Sequence, residues 1–219
     1  MQILKILIIF FSIIFSLQYC FSQKIDIENF NHKYLEHLIK VGIDSLRTTR
    51  GLQPLQNDPI LFKASQDHAF YMKGTNILDH DQKDDPEKKN PHKRITFYGG
   101  NYRMTAENIA LSYVYLPLTS GGSRDRGKII TDYQDLAESF VHGWDKSRGH
   151  HRNIMTPDFN ITGVCVSYNP INQAVFAVQK FGMADTITMS TNYTDLFPES
   201  FEIASAEANW HVTPHRRHA

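Results

Sequence analysis

The stretch Trp144–Met155, WDKSRGHHRNIM, places two adjacent histidines between a glycine and an arginine, a few residues after a tryptophan. Neighbouring side chains diverge by about 100° on a helix and point to opposite faces of a strand. His150 and His151 therefore cannot easily share one pocket. Which of them faces a site depends on the elements around the stretch.

Immediately before it, ITDYQDLAESFVHGWDKS has helical periodicity and ends near Ser147, with Trp144 placed to pack that helix on a core. After it, GVCVSYN and AVFAVQKFG are rich in Val, Phe and Tyr and are joined by the turn PINQ. They predict an antiparallel hairpin with Cys165 on one of its faces.

Towards the N-terminus, Phe30, Tyr34, Leu35, Leu38, Ile39, Val41, Ile43 and Leu46 recur at helical steps between about residues 29 and 49. RGLQPL breaks that helix. Asp58 then caps a second helix with Pro59 in its first turn, and Gly74 closes it. His68 lies on the apolar face of this second helix and is expected in the core. Residues 79–93, DHDQKDDPEKKNPHK, are dense in charge and predict a long exposed loop. The second half of YRMTAENIALSYVY is strand-like, and SGGSRDRG is a flexible connection. Periodicity fades after Gly182, so residues 184–219 are expected to form a tail or peripheral segment.

The N-terminal stretch MQILKILIIFFSIIFSLQYCFSQ has one early lysine, an apolar run of about a dozen residues and then small and polar residues. These are the marks of a secretory signal peptide over residues 1–22. The run is short of the roughly 20 residues a spanning helix needs. Secretion to the extracellular space or periplasm is the expected localisation, with no membrane span. The globular domain is expected over residues 28–183.

Lys+Arg and Asp+Glu number 23 each, so nothing in the charge balance attracts nucleic acid. With Cys20 inside the leader, Cys165 is the single cysteine of the mature chain, and an internal disulfide is excluded. Stability must come from a packed core.

Three short segments stand out: LDH at 78–80, AENIA at 106–110, and WDKSRGHHRNIM. In that order, after RGLQPL and before VQKFG, they resemble the CAP superfamily (the SCP or cysteine-rich secretory, antigen 5 and pathogenesis-related domain). The likeness is to its bacterial, disulfide-free branch and runs from about residue 30 to 182. It implies an α+β fold, a three-layer α-β-α sandwich around a central, largely antiparallel sheet. It also implies a cavity lined by two histidines and an acid, which fall on His80, Glu107 and His150. Asn153, Ile154 and Met155 pin the register that selects His150 and leaves His151 on the solvent side. Asn108 and Ser147 would line the cavity, and Trp144 and Asn153 would be structural. Two departures stand out: Ser147 where many animal members carry a second glutamate, and Arg148 where a proline is usual.

Two imidazoles and a carboxylate suit zinc or another divalent ion with a position left for water. They equally suit a network of hydrogen bonds that ties loops to the sheet. The resemblance implies a non-catalytic role: binding a divalent metal, a small lipid-like or cell-envelope ligand, or an extracellular protein. The alternatives are a metal-assisted hydrolase acting on peptides or cell wall, and an interaction module whose cavity is vestigial.

Overall fold

In the computed structural model the described residues are 22–118 and 127–184. All but the last residue of the expected signal peptide and of the expected connection SGGSRDRG, and nearly all of the expected C-terminal segment, lie outside them. The elements in chain order are α1 (His32–Thr48), β1 (Gln56–Asn57), α2 (Pro59–Thr75), α3 (Pro91–Phe97), β2 (Thr105–Tyr113), α4 (Tyr133–Lys146), α5 (Arg148–Met155), β3 (Ile161–Asn169) and β4 (Ala174–Gly182).

The strands form one sheet in the order β1-β3-β4-β2. β3 and β4 pair antiparallel through the predicted hairpin, β2 pairs antiparallel with β4, and the short β1 runs parallel to β3. Strand alternation then divides the core in two. Val164, Val166, Val175, Ala177 and Phe181 meet α1 and α4 on one face, with Trp144, Phe140, Leu35 and Ile39 filling the space between. Cys165, Phe176, Val178 and Ile109 meet Ala69 and Met72 of α2 on the other. This is the expected three-layer α-β-α sandwich.

Local chemistry explains the element boundaries. The carboxylate of Asp58 accepts from Leu61 N at 2.8 Å and starts α2 as expected. That helix runs past Gly74 and ends at Asn76, which takes the left-handed conformation with φ 55°. A short polar side chain tolerates that conformation almost as glycine does. The segment 79–93 is also less open than its charge suggested. Gln82 is buried, and α3 begins at Pro91 with Asn90 accepting from Lys93 N at 2.9 Å. That is a cap followed by proline at the first helical position, a start signal hidden among charges. Among the described residues no helix is long and apolar enough to cross a membrane.

Two packing features position the site. On the α2 face, Gly163 of β3 lets the helix lie directly on the strand: a Cβ there would sit 2.2 Å from Phe62 N. Ser65 one turn later donates to Gly163 O at 2.9 Å, which carries His68 over the sheet. At the opposite edge of the sheet, the outer side of β2 meets no further strand among the described residues, and its backbone there is met by side chains from α4 and α5.

Candidate functional site

Glu107 leaves β2 on the α2 face, and its carboxylate is only 1% exposed. Burying a carboxylate is costly unless it is paired and hydrogen-bonded, and here it is paired several times over. Lys180 is its direct cross-strand partner on β4, and the Lys180 ammonium donates to Oε2. Arg94 Nη2 of α3 lies 3.1 Å from Oε1 and 3.0 Å from Oε2. His80 Nδ1 donates to Oε1 at 2.8 Å. His68 Nε2 lies 3.9 Å from Oε1 and is a buried nitrogen without a hydrogen-bond partner.

The electrostatics follow. Burial alone would raise the Glu107 carboxyl, but Lys180, the His80 hydrogen bond, Arg94 and His68 outweigh it and hold the group well below the usual carboxylate range. Burial pushes Lys180 down to about 8 against the opposing pull of Glu107. Burial likewise lowers His68 to about 4, so it is neutral at physiological pH. The interior of the site therefore holds two cations and one anion at neutral pH.

Arg94 also ties the loop to the sheet. Its Nη2 donates to His80 O at 2.8 Å, and its Nη1 donates to Lys88 O and Lys89 O at 3.1 and 3.2 Å. This fixes the His80 backbone while half of the imidazole stays open to solvent, its side chain being 48% exposed. With Nδ1 turned onto Glu107, the other ring nitrogen, Nε2, is the one available to a ligand.

The stretch Trp144–Met155 closes the site from the open edge of β2. Trp144 Nε1 donates to Ile109 O at 3.1 Å. Asn153 Nδ2 donates to Glu107 O at 3.3 Å and to Asn108 Oδ1 at 2.8 Å. Asn108 Nδ2 in turn donates to His150 O at 3.3 Å. The far end of α5 is gripped by buried Arg47, which donates to Ile154 O at 2.7 Å and Thr156 O at 3.0 Å. Trp144 and Asn153 thus satisfy edge carbonyls that no strand covers, and doing so seats α5 beside Glu107.

His150 is half-buried on this helix; burial first, and then the neighbouring His80, lower its imidazole pKa. His151 turns back to α4 and bonds Asp145 Oδ1 at 2.8 Å. Ser147 is the hinge residue between α4 and α5, its N–H donating to Gly143 O and Trp144 O. An open depression of about 460 Å³ lies between His80, Asn90, His92, Thr105, Glu107 and Asn153. A second depression, of about 530 Å³, is lined by Phe30, His32 and Tyr168 and has no share in the charged cluster.

A divalent ion fits these residues poorly. Each oxygen of the carboxylate already faces cationic donors, and the buried excess positive charge repels a further cation. Among the described residues no group of three His, Cys, Asp or Glu side chains is arranged to hold a metal ion. Glu107 serves instead to orient His80, the part a carboxylate plays behind an imidazole. Of the residues singled out from sequence, His80 and Glu107 touch, His150 stands beside His80, and Asn108 and Asn153 frame them. Arg94 and Lys180, which were not singled out, complete the cluster together with His68, which was expected only as a core residue. Lys180 did leave a signal: a charge inside the otherwise hydrophobic AVFAVQKFG must find a buried partner.

Residues 42–181 match the sequence model of the cysteine-rich secretory protein family, CAP. An uncharacterised Bacillus subtilis protein, YkwD, is 30% identical over 118 residues, which is 54% of this chain and 37% of that relative. The chain thus spans little more than a third of the curated relative it matches. Among solved structures, an extracellular SCP-domain protein of Bacillus anthracis superposes with TM-score 0.53 at 20% identity, covering 70% of this chain and 41% of its own. An outer surface protein of Borrelia burgdorferi superposes with TM-score 0.54 at 19% identity, covering 74% and 98%.

Proposed function

The chain belongs to the cysteine-rich secretory protein family, and we propose that it is a non-catalytic extracellular binding domain whose ligand seats in the depression lined by His80, His92 and Asn153. The observation that carries this reading is the state of Glu107. A carboxylate held by Lys180, Arg94 and His80 is a weak base and has no free lone pair directed at solvent. What the depression offers a ligand is the open edge of the His80 ring, with His92, Asn90 and Asn153 in the same lining. Such a surface recognises a polar head group by hydrogen bonds and suits a cell-envelope or lipid-like molecule. The extracellular and outer-surface descriptions of the two superposed structures support the location.

The test is isothermal titration of the purified protein with solubilised cell-envelope fragments and with single-chain lipids. Saturable binding that His80→Ala abolishes and His151→Ala leaves intact is expected. Binding that ignores His80→Ala would remove the depression from consideration.

One observation favours a hydrolase as the second reading. His80 donates Nδ1 to a carboxylate and turns Nε2 outward, the disposition of a general base. Turnover of a peptide or cell-wall substrate that His80→Ala suppresses would establish it in place of simple binding.

A further inference from the structure

The two ends of the sheet differ in what they show to water. At one end β3 turns into β4, β2 runs out at Tyr113, α1 and α4 begin and α2 stops. Six of the nine large hydrophobic side chains exposed among the described residues belong to this end: Ile27, Ile77, Tyr115, Leu116, Ile129 and Ile171. Single exposed apolar residues need no explanation, but a group of them does. Bonds between their neighbours join these six. Asn172 Nδ2 donates to Asn76 Oδ1 at 2.7 Å and brings the hairpin tip with Ile171 beside Ile77. Pro170 and Ile27 line the same depression. The Tyr115 hydroxyl donates to Ile25 O at 2.6 Å, and Ile129 pairs with Pro117, next to Leu116. Ile171 at the tip is 93% exposed, and Ile77 and Ile129 are each more than half exposed.

We propose that this end of the sheet docks on a lipid bilayer, seating its isoleucines and Leu116 at the boundary between head groups and acyl chains. The chain enters the domain here: Tyr133 N donates to Gln23 O and Ile25 N to Thr131 O, both at 3.0 Å. The apolar leader therefore joins the domain at this end, and while it lies in a membrane the apolar tips face that membrane. The turns are also closed within themselves. Ile171 N and Ala174 N donate to the Asn169 and Asn172 side chains, Glu28 N and Asn29 N to Asp26 Oδ1, and Tyr115 N to Ile130 O. They can lose water without orphaning these donors, as a lipid surface demands. A protein partner would be gripped by aromatic and arginine anchors, whereas five of these six side chains are aliphatic. Among the described residues of this end, Lys24, Lys33, Lys73 and Lys128 are matched in number by Asp26, Glu28, Asp132 and Asp135. The attraction is therefore apolar and not electrostatic. No described helix is long and apolar enough to span, so the contact is peripheral. The depression beside His80 lies towards the other end of the sheet, where Lys180 pairs with Gly163. Docking leaves it clear, and the two sites are independent.

The experiment is co-flotation of the purified mature protein with vesicles of phosphatidylcholine alone and of phosphatidylcholine mixed with phosphatidylglycerol, at low and high salt. Wild type is expected to float with both, and salt is expected to change little. Each isoleucine that leaves water on docking is worth on the order of tenfold in partitioning. Ile77→Glu/Ile171→Glu is therefore expected to lower vesicle binding by about a hundredfold or more, and Ile171→Glu alone by about tenfold. Phe97→Glu is the control. Phe97 is as exposed as Ile129, but its helix packs at the other end of the sheet, where Ile95 meets Leu61 and Ile161. That variant is expected to float as wild type does.

Wild type that does not float would overturn the proposal, as would flotation indifferent to Ile77→Glu/Ile171→Glu or lost equally in Phe97→Glu. Flotation only with the phosphatidylglycerol vesicles and released by salt would overturn it too, since the attraction would then be electrostatic. Sedimentation of the same variants decides the remaining case. Self-association of wild type that the double variant disperses, with no flotation, would assign this end to a second copy of the chain and not to lipid. Ile171 is almost wholly exposed, so its substitution keeps the test free of folding defects.

Discussion

Glu107 and Lys180 are direct partners across β2 and β4, and their opposite charges meet with neither side chain more than 1% exposed. Sheet register alone puts them together, since the two residues share one face of neighbouring strands. The pair sits where α2, α3 and the sheet converge, so its charge state governs three elements at once. A buried pair is weak evidence for stability as such, but breaking it by removing one partner is expensive.

Glu107→Gln is therefore expected to destabilise the protein by about 3–5 kcal/mol, because Lys180 and Arg94 are left buried with their anion removed. Lys180→Met in the Glu107→Gln background should recover part of that loss. Urea denaturation of the two single variants and the double variant gives the coupling directly. Strictly additive losses would mean that the pair contributes nothing specific.

Asn153→Ala tests how α5 is held. The change removes donors to Glu107 O and Asn108 Oδ1, both on the edge strand. Leaving such groups unpaired costs on the order of 1–3 kcal/mol. Because Asn108 also positions His150 through its carbonyl, faster amide exchange over residues 148–155 is expected, with the β3–β4 hairpin unchanged. Uniform protection across the chain would show that Arg47 alone secures the helix.

These two variants mark where the sequence was informative. The hairpin, the caps at Asp58 and Asn90 and the helix ending near Ser147 follow from local chemistry, and so were open to sequence reasoning, although proline-led α3 was lost within a charged run. His80 and Glu107 were visible as a pair of motifs. Their electrostatic meaning was not, because it depends on Lys180 and Arg94. Lys180 lies far along the chain and reaches Glu107 only through strand register, which no local pattern specifies. His68 was expected in the core and is fully buried there, but periodicity cannot say that its ring would face a carboxylate. The two adjacent histidines separated as helical geometry requires, His150 beside His80 and His151 onto Asp145.

Gly163→Ala probes the contact that brings α2 to the sheet. The new Cβ would lie 2.2 Å from Phe62 N and 2.3 Å from Leu61 C, both backbone atoms that cannot rotate away. Overpacking of this kind costs about 3 kcal/mol, and relief requires α2 to lift. A lower melting temperature is expected, together with a changed His68 imidazole resonance, since that ring rides on the same helix. An unaltered His68 signal in a destabilised variant would locate the adjustment in β3 instead.

The pH dependence of stability brings two buried groups into opposition. Glu36 of α1 accepts from Val166 N on the uncovered edge of β3 at 3.0 Å. Burial pushes its carboxyl from an ordinary 4.5 up to about 7, despite the Val166 and Cys165 hydrogen bonds. Between pH 4.5 and 7 the folded chain holds a proton at Glu36 that the unfolded chain has released. Its stabilisation is therefore complete below 4.5 and lost as pH rises through 7. His68 works the other way. Burial lowers it from 6.5 to about 4, so the unfolded chain takes up a proton first and stability is lost as pH falls from 6.5 towards 4. Each shift corresponds to roughly 3 kcal/mol, and His32, His37 and His150, all lowered first by burial, add to the His68 direction. Glu107 is held well below 4.5 and acts only at lower pH. Glu36 thus offsets the His68 slope between pH 4.5 and 6.5, and the wild-type profile is expected to climb only gently with pH there, by what the other three histidines add. Glu36→Gln should expose a stability that climbs with pH over that window, and His68→Gln one that falls. Urea midpoints measured at half-unit steps from pH 4 to 8 test both, and parallel profiles for the two variants would show that neither group carries the linkage.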